Sequence, residues 1–208
     1  MSRTDASHLF RFRPNEATRW SLVGGERGVR GVLVDRRAHA SYPLRLASAD
    51  VEAELNDVVG AWNGAGADVQ MTISTFGAAS GQVHDDDGRS LVFYSPDSKE
   101  PGSQALATTF CHGSGEIDNC DIVVWDKSGE TGNEWNFQFN GRAGPWETDA
   151  TLVLVHEFGH ALGLDHNTIT DTCDTLQSVM FPSISSGDDF TSLFDLDKEA
   201  LVFLYGPA

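Results

Sequence analysis

Residues 156 to 166 read HEFGHALGLDH, and this stretch sets three imidazoles and a carboxylate at the spacing that a catalytic zinc ion requires. On a helix, positions i and i+4 lie one turn apart on the same face, so His156 and His160 can offer two nitrogens to one cation. Glu157 sits beside the first histidine and off the metal. At Gly163 the helix can stop, because glycine tolerates the left-handed backbone that turns the chain sharply, and the turn returns His166 as third ligand. Three protein ligands leave one tetrahedral position open for water, which marks a catalytic zinc; a structural zinc is normally closed by four protein ligands. Outward from the motif, Asp149 is placed to cap the helix. Leu152, Val153, Leu154, Val155, Phe158, Ala161 and Leu162 surround it on nearly every side, so it must be buried.

A bare HExxH also arises by chance as a pair of surface or core histidines with an unrelated glutamate. Here the pattern continues through Gly163 to His166, and a methionine followed by proline appears downstream in Ser178, Val179, Met180, Phe181, Pro182. Chance is then a poor explanation.

The run HExxHxxGxxH with Met180 behind it resembles the metzincin clan of zinc peptidases, and HEFGHALGLDH in particular looks like the matrixin family. Three further segments resemble that family in order. Gln104 to Phe110 (QALATTF) looks like its edge strand, which runs antiparallel to bound peptide; Asp121 to Asp126 (DIVVWD) looks like the next strand; Phe194 to Gly206 (FDLDKEALVFLYG) is similar to its last helix. The resemblance implies an α+β fold, a metzincin catalytic domain. Its parts would be a twisted, mostly parallel sheet with an antiparallel edge strand, a zinc-binding helix, a Met-turn and a C-terminal helix.

The same resemblance implies one catalytic Zn2+ on His156, His160 and His166, with Met180 as the hydrophobic floor beneath them. It implies endopeptidase chemistry: hydrolysis of peptide bonds by metal-activated water, with Glu157 as general base and then general acid. Leu106, Ala107, Thr108 and Thr109 would pair with substrate backbone by strand addition. Leu106, Val155 and Ile184 are assigned to a side-chain pocket, with an apolar preference just after the cut bond. Some positions depart from the family pattern. Thr108 and Val123 stand where animal members hold histidines for a second, structural zinc; Asn167 follows the third ligand in place of serine; the loop from His166 to Met180 is longer; Ile184 replaces a tyrosine. A microbial or otherwise divergent member is expected, with a single zinc.

Two alternatives stand beside this reading. One is a zinc-binding but non-cleaving adhesion or binding module, against which the intact Glu157 argues. The other is a non-matrixin metzincin of the serralysin type, whose calcium-binding Gly-Asp repeats do not occur in this sequence.

At 208 residues with 40% hydrophobic residues, the chain suits one globular domain, read here as residues 19–208 after an amino-terminal arm, residues 1–18. Fourteen basic side chains against 31 acidic ones give a net charge of −17, which argues against a nucleic-acid partner and disfavours anionic membranes. Protein or peptide substrates and a monomer are expected. No run approaches the ~18 to 20 apolar residues of a membrane helix. The opening MSRTDASHLFRFRP lacks the apolar core of a signal peptide, so an extracellular location would follow from a trimmed precursor or another export route. Latency through a propeptide cysteine has no counterpart here; Asp5 or His8 could block the zinc instead, against the plainer reading of a flexible arm. Two acidic sets, Asp85 with Asp86 and Asp87, and Glu116 with Asp118 and Asp121, are candidates for Ca2+ or are simply solvated loops. Cys111 and Cys120 bracket a short Gly-rich loop in a geometry compatible with a disulfide, and Cys173 is left over as a buried thiol or a thiol near the metal.

The remaining elements follow from periodicity. Arg30 to Asp35 reads as a strand; Val51, Leu55, Val58, Val59 and Trp62 form the apolar stripe of a helix from Ser48 to about Asn63 and Gly64; Val69, Met71 and Ile73 alternate as in a half-buried strand. The last helix, Asp195 to Tyr205, is expected to bury Leu196, Ala200, Leu201, Phe203 and Leu204, with Ser192 and Asp195 spaced as a capping box. Trp125, Trp135 and Trp146 are read as packing residues.

Overall fold

The structure is a computed structural model that describes residues 19–20, 22–23, 26–34, 48–76, 90–95, 99–113, 116–138, 143–167, 178–190 and 192–208. The arm with Asp5 and His8, the acidic run Asp85 to Asp87, and Cys173 lie outside the described residues.

The sheet is built on β3 (Glu26–Val34), β4 (Gln70–Phe76), β5 (Ser90–Ser95), β6 (Ala107–His112) and β8 (Asn119–Trp125). β3 pairs in parallel with both β4 and β5, β5 pairs in parallel with β8, and β6 closes the edge antiparallel to β8. Short β2 (Leu22–Val23) turns back antiparallel onto the start of β3, and β1 (Arg19–Trp20) pairs with β7 (Glu116–Ile117). β8 is buried from Asn119 to Val124, as a central strand covered on both faces must be, which explains its unbroken apolar run Ile122, Val123, Val124. The mostly parallel sheet, with β6 as an antiparallel edge strand, agrees with the fold expected from the sequence. The edge strand itself begins three residues later than Gln104 and extends through His112, with Leu106 still accepting the Trp125 amide at 2.9 Å. Cys111 and Cys120 face each other directly across the β6–β8 ladder and form a disulfide, their Cα atoms 4.1 Å apart.

Among the described residues there are three helices: α1 (Ser48–Asn63), α2 (Ala150–Ala161) and α3 (Asp195–Tyr205). α1 buries Leu55, Val58, Val59 and Trp62, the stripe its 3.6-residue period predicts. Asn63 clips its end to β4, accepting the Met71 amide at 2.7 Å and donating to the Met71 carbonyl at 2.9 Å. α1 reaches α2 through two polar contacts inside the core. The Trp62 indole Nε1 donates to the Val155 carbonyl at 3.0 Å, and the Thr151 hydroxyl donates to the buried carboxylate of Glu54. α3 departs from expectation in two places. Its cap position is Phe194, whose amide donates to Asp197 at 3.0 Å, so Asp197 does the work that Ser192 and Asp195 were expected to do. Phe203 is 65% exposed, because Asp197, Ala200, Leu201 and Leu204 define the inward face and position 203 falls outside that arc.

Candidate metal centre and cleft

α2 is buried on every side except near its end, and its terminus decides the site. Asp149 caps the first turn, its Oδ1 accepting the Thr151 amide at 2.8 Å, while its Oδ2 accepts the Phe190 amide at 2.6 Å and so ties the helix start to the segment behind the cleft. At the other end Gly163 has φ +89°, its amide donates to the His160 carbonyl at 2.8 Å, and Leu164 donates to Gly159 at 2.9 Å. These two bonds make a Schellman stop, which needs a left-handed residue at position 163. The Leu162 carbonyl left over at this terminus accepts the buried Tyr205 hydroxyl at 2.7 Å.

That turn brings the imidazoles together. The three Nε2 atoms lie 3.1 Å (His156–His160), 3.2 Å (His160–His166) and 3.3 Å (His156–His166) apart. His156 Nδ1 stands 2.7 Å from the Val179 carbonyl and His160 Nδ1 2.8 Å from the Leu164 carbonyl. A carbonyl only accepts, so both Nδ1 atoms carry the proton and both Nε2 atoms keep bare lone pairs. Two bare acceptors at 3.1 Å repel unless a cation stands between them. Burial works in the same direction: it pushes the His156 pKa down to about 4, helped by the neighbouring His160, and lowers that of His160. Neutral imidazoles are what a metal needs. Tetrahedral zinc with Zn–N bonds of about 2.0–2.1 Å spaces its ligand nitrogens roughly 3.3 Å apart, so the donor set fits zinc. Among the described residues this is the one converging group of three or more His, Cys, Asp or Glu ligands.

The floor under the imidazoles is the turn Ser178–Phe181. Met180 is buried, the Ser178 carbonyl accepts the Phe181 amide at 3.3 Å, and the Met180 carbonyl accepts the Asn167 amide at 2.8 Å, joining the turn to the chain just after His166. Asp197 of α3 holds this turn from below. Its carboxylate accepts the Ser178 hydroxyl and the Val179 amide, the latter at 3.0 Å. Neither Asp197 nor Tyr205 was singled out by the sequence reading. A lone aspartate on a helix carries no spacing signal, since its partners lie across the fold.

Gly159 shows how closely floor and helix approach. A Cβ there would stand 2.2 Å from Met180 Sδ and 3.0 Å from Trp62 Cζ2. Gly159→Ala should therefore destabilise the protein by about 1–3 kcal/mol through overpacking, which outweighs the ~1 kcal/mol that alanine gains in helix propensity. Thermal unfolding checks this; a melting temperature equal to or above wild type would mean that Met180 yields without cost.

A groove of about 680 Å3 runs past the imidazoles, walled on one side by Leu106 to Thr109 and on the other by Pro182 to Ile184. Leu106, Ala107, Thr108, Thr109 and Ile184 line this groove; Val155, which the sequence reading groups with Leu106 and Ile184, does not. Val155 is fully buried against α1, whereas Val153 lines the groove. At 100° per residue, positions 153, 156, 157 and 160 share one face of α2, and 155 points away from it. Two tryptophans also depart from a packing role: Trp135 lines the groove and Trp146 is 86% exposed. Trp125 spans the outer face of β6, its Nε1 donating to Thr108 Oγ1 at 3.1 Å.

Glu157 is buried, with Oε2 at 2.6 Å from Thr109 Oγ1. Burial raises its pKa to about 7, against the pull of the Thr109 hydroxyl and the charge of Lys99, which also lines the groove. Of the second acidic set, Asp121 is buried with Oδ1 accepting the Leu91 amide at 3.1 Å, and Asp118 is exposed on the turn before β8.

Comparison with known proteins agrees with this geometry. Over 58 residues the chain is 43% identical to metalloendoproteinase 5-MMP and 38% identical to metalloendoproteinase 2-MMP, both of Arabidopsis thaliana. The aligned stretch is 28% of this chain and 14% of each relative, so the chain spans only a small part of the curated relatives it matches. The family model of the matrixins matches residues 38–206, and with the converging histidines and the mixed sheet behind them, the chain belongs to the matrixin family.

Proposed function

We propose that this chain is a zinc-dependent endopeptidase that hydrolyses peptide bonds in protein or peptide substrates, with Glu157 as general base and then general acid. The observation that carries the reading is the three Nε2 atoms 3.1–3.3 Å apart at the floor of a groove that also holds the buried Glu157 carboxylate. His156, His160 and His166 would hold the ion. Bound there, zinc supplies a Lewis acid that polarises the peptide carbonyl and brings water ionisation into the neutral range.

The protein's own groups supply the rest. β6 offers backbone donors and acceptors from Ala107 to Thr109 to an extended peptide, which gives affinity without much side-chain demand. Val153, Pro182 and Ile184 give the opposite wall an apolar lining and favour an apolar residue just after the cut bond. Glu157 takes the proton from the attacking water and hands it to the departing amine, a service worth about 100- to 10,000-fold in rate. A carboxyl whose burial brings its pKa near neutral suits both directions of that transfer. The intact carboxylate is also what favours cleavage over a non-cleaving binding module. No described helix is long and apolar enough to cross a membrane, and action on extracellular protein is the setting we infer from the family. For calcium, no acidic trio converges among the described residues.

Casein and a quenched-peptide library test the reading. Cleavage should stop with a chelator, return with zinc, and map to sites followed by an apolar residue. Cleavage that survives the chelator would overturn the proposal, and a charged preference after the cut bond would overturn the assignment of the apolar wall.

A further inference from the structure

Resting on the peptidase reading, we propose that Thr109 is a positioning residue for Glu157, its side-chain hydroxyl aiming the carboxylate into the cleft. Side chains alternate along β6. Thr108 faces outward, where its hydroxyl donates to the Ala107 carbonyl at 2.7 Å and accepts from Trp125. Thr109 faces α2, with Oγ1 2.6 Å from Glu157 Oε2 and 3.0 Å from the Glu157 carbonyl oxygen. Its single hydroxyl proton goes to the carboxylate, the stronger acceptor when Glu157 is ionised to act as a base.

The position of this bond gives it a use beyond packing. The terminal torsion of a glutamate is broad and two-fold, so a carboxylate beside a groove turns readily unless something grips one oxygen. Thr109 grips Oε2 and leaves Oε1 for the water. The grip comes from the same strand that lines the substrate groove, so the peptide-binding edge and the proton acceptor are held to each other across one hydrogen bond. The Glu157 backbone carbonyl, 3.0 Å away, is a second acceptor within reach of the same proton, so either arrangement ties β6 to this one residue of α2. Aliphatic replacement would leave both oxygens of a buried carboxylate without a protein donor from β6.

The test compares Thr109→Val and Thr109→Ser. With the shape kept and the hydroxyl removed, T109V should lose about 10- to 100-fold in kcat, the range for a hydrogen bond to a charged group, with KM and bound zinc unchanged. T109S should stay within about threefold of wild type. A wild-type kcat in T109V, an equal loss in T109S, a change confined to KM, or loss of zinc from T109V would each overturn the positioning role. Crystal structures of zinc-loaded wild type and T109V give a readout that needs no turnover: the Glu157 carboxylate should stay beside Thr109 in the first and leave that position in the second. An unmoved carboxylate overturns the inference even if the protein cleaves, whereas a displaced carboxylate in a protein that never cleaves supports it and sinks the peptidase reading alone.

Discussion

Glu157→Gln should lower kcat on a quenched peptide by about 100- to 10,000-fold while the zinc content stays at one ion per chain. The amide has nearly the shape of the acid and can still accept the Thr109 hydroxyl through its oxygen, so the local packing around Oε2 survives. What it lacks is a site for the proton that leaves water. None of the three converging nitrogens belongs to Glu157, so metal binding has no reason to fall. Steady-state kinetics with metal analysis on the same preparation separate the two effects. Turnover near wild type would remove Glu157 from the mechanism, and loss of zinc would show that the variant disturbs α2 rather than the proton path.

Asp197→Ala should be the most damaging change away from the cleft. Its carboxylate accepts from the Ser178 hydroxyl, the Val179 amide and the Phe194 amide, and all of these lie under or beside the turn that carries Met180. Alanine would leave buried donors unpaired at about 1–3 kcal/mol each, and even without full additivity the loss should reach about 3 kcal/mol. For a domain of this size that corresponds to a melting temperature lower by roughly 6–12 °C. The effect should also reach the metal, because the Val179 carbonyl orients His156 through Nδ1. Thermal unfolding and zinc affinity measured together check the prediction. A melting temperature within about 2 °C of wild type would show that water replaces the carboxylate without cost.

Much of the site is legible in residues that act through their neighbours in sequence. His156 and His160 share a face because of the helical period, and Gly163 stops the helix because no other residue takes its backbone angle as cheaply. The stripe Leu55, Val58, Val59, Trp62 and the apolar run of β8 are readable for the same reason, that each element repeats its own geometry. Val155 and Phe203 mark where that reading slips. Val155 reads as pocket because it adjoins His156, and Phe203 as core because it adjoins Leu204, yet one step along a helix rotates a side chain by 100° and sends Val155 to the core and Phe203 to solvent.

Local sequence, then, determined the spacing of the three histidines, the stop at Gly163, the cap at Asp149 and the order of strand and helix types, because each depends on spacing within a few residues. Tertiary structure alone decided that Thr109 grips Glu157 from 48 positions away, that Asp197 holds the Met180 turn, that Tyr205 seals the end of α2, and that Trp62 and Met180 close on Gly159. Those contacts join side chains brought together by the packing of separate elements, and no periodicity along the chain encodes a distance between elements.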